Sequence, residues 1–476
     1  MPHHIPGLPD RNPNHINMHQ TILKIMTGSE LSNHSHFLTV EIGSTITKVN
    51  AFTLEKEGYF RHQAQGFSAT SIALGDVTVG VNAAIANLES RFGKSMAKPL
   101  IYVNSSAAGG LRMTVHGLTT SMTARAAREA ALGAGAIVKK VTAGLLDQVD
   151  LDEIRSLKPN IILLAGGVEY GEKHIVLQNA ELLKSLDLNI PIVYAGNSII
   201  RPHIRKIFEN SSMQLLLADN VFPVVDVLNI TPLRKVIHEV FNQHIIHAPG
   251  MQHIAELTDF QILPTPAAVL NSAELFAEVL GDCLVIDVGG ATTDVHSVTN
   301  GSSEWMSKQI EPEPYAKRTV EGDLGVYVNA KNIVALKQDF RWQSELAHLQ
   351  PIPHDPEETQ LTQWLCSAAV EIAIRRHAGQ IYDQYTPSGK KQILKGKDLS
   401  AVQWVIGTGG ALTRIAGGEE ILRSICTGAG KFLLPPPTAA IWMDTDYLFS
   451  ALGTLAQTHP QAVKATFQQK AEMEVV

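Results

Sequence analysis

Cysteine is scarce in this chain. Cys283, Cys366 and Cys426 are the three in 476 residues, far apart and without a CxxC pair. Such spacing supplies neither a zinc site nor an iron–sulfur cluster, and it suits a reducing compartment. Long apolar runs are missing as well. No stretch of about 18 apolar residues occurs, the length a membrane-spanning helix needs. Residues 1–36 carry Pro and His but lack the apolar core of a signal peptide. His3, His4, His15, His19, His34 and His36 follow no fixed ligand spacing, so a disordered tail is expected there rather than a metal site. A basic surplus is absent too: 39 Lys and Arg against 46 Asp and Glu give a formal net charge of −7. Nucleic acid and anionic membranes both call for a basic face, so neither is expected as a partner. A cytoplasmic protein is expected.

What is present is a hydrophobic content of 45% with 18% charged residues, which fits a folded protein with a large core. The length allows two or three domains. Leu284–Val295 reads Leu-Val-Ile-Asp-Val-Gly-Gly-Ala-Thr-Thr-Asp-Val. Apolar residues around Asp287 make a buried strand, and the following glycines make a tight turn. Such a turn presents backbone N–H groups to phosphate, and an acid at the strand end can hold a cation through water. Thr292 and Thr293 add hydroxyls.

Leu38–Val49 repeats the pattern as Leu-Thr-Val-Glu-Ile-Gly-Ser-Thr-Ile-Thr-Lys-Val. Glu41 matches Asp287, Gly43 matches Gly289, Thr47 matches Thr293 and Val49 matches Val295, 246 residues apart. A second pair, Ile161–Val168 and Val405–Leu412, sets Gly166 and Gly409 243 residues apart. Two halves with one plan predict two similar α/β lobes facing each other across a cleft.

These residues resemble the actin-like ATPase superfamily, whose acid–glycine hairpins grip nucleotide phosphates. Ser105–Leu111, Leu132–Ala136, Leu164–Gly167, Asn220–Asn229, Lys317–Gly325 and Arg376–Gly379 further resemble the MutL/GlmL family, accessory proteins of the adenosylcobalamin-dependent glutamate mutase. The resemblance covers roughly residues 36–457. It implies two RNase H-like lobes around a nucleotide cleft, with ATP and Mg²⁺ as ligands and the mutase subunits as partners. The expected division is a disordered tail at 1–36, a first lobe with an additional parallel α/β segment at 37–275, a second lobe at 276–457 and a polar tail at 458–476.

Carried onto this chain, the resemblance assigns the cation shell to Asp287 and Glu41. Phosphates fall to Gly43, Ser44, Thr45, Thr47, Lys48, Gly289, Gly290, Ala291, Thr292 and Thr293. Adenosine falls to Gly407, Gly409 and Gly410, since glycine turns let a flat ring lie against backbone. Glu321 or Asp323 would position the attacking water or the cation, with Lys317 or Arg318 near substrate or partner. The alternative for that stretch is a surface loop held by its own salt bridges. Arg375 and Arg376 are read as complements to a helix dipole. Glu41 departs from the aspartate usual in the superfamily. Its extra methylene shifts the carboxylate by about 1.5 Å, one bond length along the side chain, which bears on hydrolysis more than on binding.

Along the rest of the chain, strands alternate with helices from Thr119 to Leu217, the wiring of a parallel α/β unit. Leu263–Ala268 is expected to join the lobes. Gln338–Gln360 is expected as a linker or peripheral helical piece, and Leu448–Ala456 as the last helix, at the hinge. Three functions remain open: an ATP-driven reactivating factor for the mutase, a small-molecule kinase with Asp323 as general base, and a nucleotide-binding module without turnover.

Overall fold

The alternating and β-branched residues of Phe37–Ile42 and Thr47–Phe52 leave no helical face, and they pair as the first hairpin. In the computed structural model, which describes residues 36–93, 98–107, 110–387, 389–428 and 430–474, β1 (His36–Ile42) runs antiparallel to β2 (Ile46–Leu54). Glu41 stands directly opposite Lys48. β2 continues into antiparallel β3 (Phe60–Ala69). Helix α1 (Val77–Phe92) follows, with Asp76 accepting the Thr78 N–H at 2.8 Å as N-cap. β4 (Leu100–Ser105) then lies parallel to β1 on its other side.

From there the chain leaves the sheet and builds another. β5 (Arg112–Gly117), α2 (Thr123–Gly133), β6 (Ile137–Ala143), α3 (Gln148–Leu157), β7 (Ile161–Leu164), α4 (His174–Lys184), β8 (Pro191–Tyr194), α5 (Arg201–Phe208) and β9 (Gln214–Leu217) alternate. All five strands are parallel, in the order β6-β5-β7-β8-β9. Helix α6 (Thr231–Ile245) leads back, and β10 (Leu263–Pro264) pairs in parallel with β4. The first sheet therefore reads β3-β2-β1-β4-β10. Helix α7 (Thr265–Leu280) leaves it.

The same plan recurs. β11 (Cys283–Val288), β12 (Thr293–Val298) and β13 (Ala316–Glu321) form an antiparallel meander. Helices α8 (Ala330–Lys337) and α9 (Pro356–His377) and a hairpin of β14 (Gln380–Thr386) and β15 (Gly389–Lys395) come next. β16 (Trp404–Thr408) then joins β11 in parallel, and β17 (Ala440–Met443) joins β16. The order β13-β12-β11-β16-β17 repeats that of the first lobe. Helices α10 (Leu448–Leu455) and α11 (Pro460–Glu474) close the chain.

The recurrence corrects one sequence match. Glu41 pairs in register with Asn104 of β4, and Asp287 with Thr408 of β16, so β4 is the counterpart of β16. Ile161–Val168 instead belongs to the inserted parallel sheet. That unit sits between β4 and β10, and its length happens to give Gly166 nearly the right offset.

Helices α7 and α10 cross between the lobes. Gly453 of α10 lies so close to the Ala268 carbonyl that a Cβ could not be placed there. Phe37, Tyr102, Phe276, Val285, Trp442, Phe449 and Phe467, drawn from both lobes, share one core. Several boundaries differ from expectation. Leu263–Ala268, expected as a joint, is β10 and the first turn of α7. The helix expected from Thr119 starts at Thr123, whose hydroxyl accepts the Leu118 N–H at 2.8 Å and so closes the preceding turn. The expected polar tail at 458–476 contains α11, because Val463 and Phe467 recur at helical spacing and are buried. Residues 1–35 of the expected disordered tail lie outside the described residues, while His36 opens β1. Among the described residues, no helix is long and apolar enough to cross a membrane.

Candidate functional site

Each lobe ends its central strand in an acid and a turn of the same build. Gly43 N–H donates to the Ile46 carbonyl at 3.1 Å, and Gly289 N–H to the Thr292 carbonyl at 2.9 Å. A Cβ on Gly43 would stand 2.7 Å from the Ile46 oxygen, so the first turn requires glycine. The carbonyls of both turns are held from behind. Thr70 donates its hydroxyl to the Gly43 carbonyl at 2.8 Å. Tyr327 and Val328 N–H groups donate to Gly290, at 2.9 and 2.7 Å, and Asn329 Nδ2 donates to Ala291 at 2.7 Å. In a trans peptide the N–H points opposite to its carbonyl. The N–H groups of Ser44, Ala291 and Thr292 are therefore aimed away from these supports. Ser44, Thr45, Gly290 and Ala291 are exposed.

The two acids meet. Glu41, Lys48 and Thr265 of the first lobe and Asp287, Thr408 and Gly409 of the second line one cavity of about 20 Å³. Tyr447 and Ser450, at the start of α10, line it too. Both carboxylate oxygens of Glu41 are engaged: Oε1 by Lys48 Nζ at 2.7 Å, Oε2 by the Ser450 hydroxyl. Lys48 also lies 4.0 Å over the Tyr447 ring. Burial works against its charge, but Glu41 outweighs this and holds the ammonium above its ordinary value.

Among the described residues no cation is bonded to Asp287. Desolvation first, then the charge of Asp294 opposite it in register, pushes its carboxyl up to about 7; Lys48 offsets this in part. Gly409, with φ +87°, packs against the Asp287 carboxylate, and a Cβ there would come within 2.5 Å of the Val288 carbonyl. Behind it, Asp444 caps α10 by accepting the Leu448 and Phe449 N–H groups at 2.7 and 3.1 Å, and it takes the Thr408 hydroxyl at 3.0 Å.

Other expected residues take part in the bonding and packing of the turns and of β16. Thr47 is buried, its hydroxyl 3.0 Å from that of Thr70. Thr293 is buried and donates to the Leu324 carbonyl at 2.8 Å. Thr292 donates to Asp294 at 3.2 Å. Gly407 lies within β16, where Leu412, Leu422 and Met443 leave no room for a side chain. Gly410 is exposed just beyond Gly409.

The charged stretch that begins in β13 packs on the second turn, with Gly325 against Ala291 and Glu321 opposite Thr293 in register. Arg376 Nη1 bonds Glu321 and Asp323, each at 2.7 Å, and Nη2 bonds Asp323 at 2.9 Å. Burial raises the Glu321 carboxyl, while Arg376 lowers that of Asp323. Neither acid lines the cavity between Glu41 and Asp287. Arg376, read as a dipole complement, is the clamp of this loop. Lys317 and Arg318 are buried partners of Glu313 and Asp294, at 2.9 and 2.6 Å. Sequence reasoning did not single out Thr265, Tyr447 or Ser450. Ser450 shares an otherwise apolar helix with one other hydroxyl, Thr454, and nothing local marks it. Among the described residues no cluster of three or more metal-ligating side chains occurs.

Two lobes with one strand order, matched strand-end acids meeting at one cavity, and two crossed helices between them define the actin-like, RNase H-like fold. The chain belongs to the MutL protein family, whose profile matches residues 37–471. It is 36% identical over 456 residues to Protein MutL of Clostridium tetanomorphum, covering 89% of this chain and 96% of that protein. Among solved structures, nucleotide-free acetone carboxylase aligns with a TM-score of 0.41 at 14% identity, over 88% of this chain and 70% of that one. Nucleotide-free diol dehydratase-reactivating factor aligns with a TM-score of 0.37 at 12% identity, over 90% and 100%.

Proposed function

We propose that this protein is an ATP-binding, ATP-hydrolysing reactivating factor for an adenosylcobalamin-dependent mutase, glutamate mutase by family resemblance. The carrying observation is that Glu41 and Asp287, 246 residues apart, line one cavity beside two turns of the same build. On this proposal the N–H groups of Ser44, Ala291 and Thr292 bind phosphate, with Lys48 offsetting charge, and Gly409 and Gly410 border adenosine. Asp287 takes Mg²⁺ through water, with Glu41 as the second carboxylate. One or two carboxylates together with phosphates and water suit this ion, so the donor set fits it. Mg²⁺ would neutralise charge on the transferred phosphoryl group.

The cavity, about 20 Å³, is far smaller than the 300–1,000 Å³ usual for small-molecule sites. ATP would therefore have to part the lobes, divided near residues 275–276 within α7. Lobe rotation about α7 and α10 is then the step that acts on the partner. Purified protein with Mg-ATP should restore cobalamin exchange to inactivated mutase, and the lack of any effect on exchange counts against the proposal.

A second function, binding without turnover, is favoured by one observation: both oxygens of Glu41 are already engaged by Lys48 and Ser450. Glu41→Asp shortens the side chain by about 1.5 Å, one bond length, and should release it from Ser450. A rise in phosphate release in this variant, at unchanged ATP affinity, supports that second function; a fall supports Glu41 as a working ligand. The kinase alternative gains nothing from Asp323, which Arg376 holds outside the cavity.

A further inference from the structure

The inserted sheet has an outward edge of unusual character. Its amino edge faces the first lobe: Gly135, in the turn before β6, packs against Pro264 of β10. The carboxyl edge points the other way, and its loops follow β5 to β9. In sheets of this wiring, recognition takes place at the carboxyl ends of the strands. Here those loops expose large apolar side chains: Leu145, Tyr170, Ile199, Val224, Val225 and Val227. Tyr170 is 79% exposed. It also holds a left-handed backbone at φ +64°, as does Asp226. For a bulky side chain this conformation is costly and persists where its surroundings impose it.

The surroundings do impose it. Glu169 N–H donates to the Pro223 carbonyl at 2.9 Å. Its carboxylate takes the Ser198 N–H at 3.1 Å and Asn220 Nδ2 at 2.8 Å. Asn197 N–H donates to Gly166, and Val221 N–H to Ala195, each at 3.1 Å. Three neighbouring loops are thus knit into one platform, which reduces the ordering cost of binding. Five strands at about 4.8 Å spacing make the edge roughly 19 Å wide, the scale of a protein contact rather than of a small ligand. The loops at 118–122, 144–150, 165–173, 195–201 and 218–230 carry six carboxylates against two cations, Lys173 and Arg201. Arg201 is itself paired with Asp219 at 3.3 Å, and Asp150 with Lys140 of β6 at 3.0 Å, which leaves Asp147, Glu169, Glu172 and Asp226 against Lys173.

We infer that this carboxyl edge is the docking surface for the partner enzyme, and that it receives a protein face apolar at its centre and basic at its rim. An acidic, rigid edge with apolar tips complements such a face. The inference rests on the proposed mutase partnership and adds where on this chain the partner sits. The test uses full-length protein and purified mutase subunits with Mg-ATP, read by titration calorimetry. The double variant Tyr170→Asp, Val225→Asp should weaken subunit binding at least tenfold, with ATP binding and melting temperature unchanged. Tyr385→Asp on β14, equally exposed, should bind as the wild type does. In the wild type, complex formation should slow amide exchange at 168–171 and 224–228, and raising salt from 50 to 500 mM should weaken it.

Wild-type-like binding by the double variant overturns the surface while leaving the mutase partnership intact. Binding of neither subunit by the wild type overturns both. A wild-type dimer that the double variant breaks, with subunit binding retained, overturns the assignment in favour of self-association.

Discussion

Asp287 and Glu41 hold matching positions but opposite electrostatic situations. Glu41 faces Lys48 across its hairpin, while Asp287 faces Asp294 across the other. The carboxyl of Asp287 is held at about 7 against an ordinary value near 3.8. A raised carboxyl favours the fold while protonated, and its cost grows as pH rises from about 4 to 7 and then levels off. Asp287→Asn should therefore stabilise the protein without ligand, by on the order of 2 kcal/mol at pH 8 and by less at pH 5. The same variant should lose Mg-dependent turnover. Urea titrations at the two pH values check the first statement and phosphate release checks the second; an equal effect at both pH values refutes the assigned cause. Gly409→Ala should cost about 1–3 kcal/mol, because φ +87° and the Val288 carbonyl leave no place for a methyl group. It should also displace the Asp287 carboxylate, which a loss of ATP affinity would report.

At the level of elements, the inserted unit is tied to the second lobe through buried charge. Arg318 on β13 holds Asp294 at 2.6 Å and also donates to the Leu132 carbonyl in the last turn of α2, at 2.9 Å. Arg125 of α2 bonds Glu311 at 2.7 Å and also Glu313. Arg234 of α6 donates to the Ala316 carbonyl at 2.7 Å. Asp287, Asp294, Arg318 and Leu132 thus form a continuous path from the cleft to the helix beneath the inserted sheet. Arg318→Met would leave Asp294 buried and uncompensated. It should cost about 3–5 kcal/mol in denaturant titration, and adding Asp294→Asn should recover a large part of that loss. Independent additivity of the two substitutions would show that the pair is not coupled.

Across the whole molecule, one aromatic core joins the lobes. Phe467 of α11 packs 5.3 Å from both Phe276 of α7 and Phe449 of α10, and Trp442 of β17 lies 5.4 Å from Phe276. Thr466 accepts the Phe60 N–H of β3 at 2.8 Å, so α11 also fastens the first sheet. Ending the chain at Thr458 should remove on the order of 3–6 kcal/mol, from the lost burial of Val463 and Phe467. A lowered melting temperature with binding of a hydrophobic dye is the expected result; unchanged melting would mean that α11 does not contribute to the hinge core.

The sequence alone determined what is local and repeated. Acid–glycine turns are written in consecutive residues, so Glu41, Gly43, Asp287 and Gly289 could be matched before any contact was known. Strand and helix alternation likewise marked the inserted parallel unit. Only the tertiary structure decided what depends on residues far apart. Thr265, Tyr447 and Ser450 reach the cleft because helices cross between lobes, and no short window records a crossing. Arg376 gathers Glu321 and Asp323 near the surface, and Arg318 turns inward to Asp294 because a buried charge must be paired; composition shows the charges but not their partners. The counterpart of β16 proved to be β4, since an insertion changes spacing along the chain without changing which strands share hydrogen bonds.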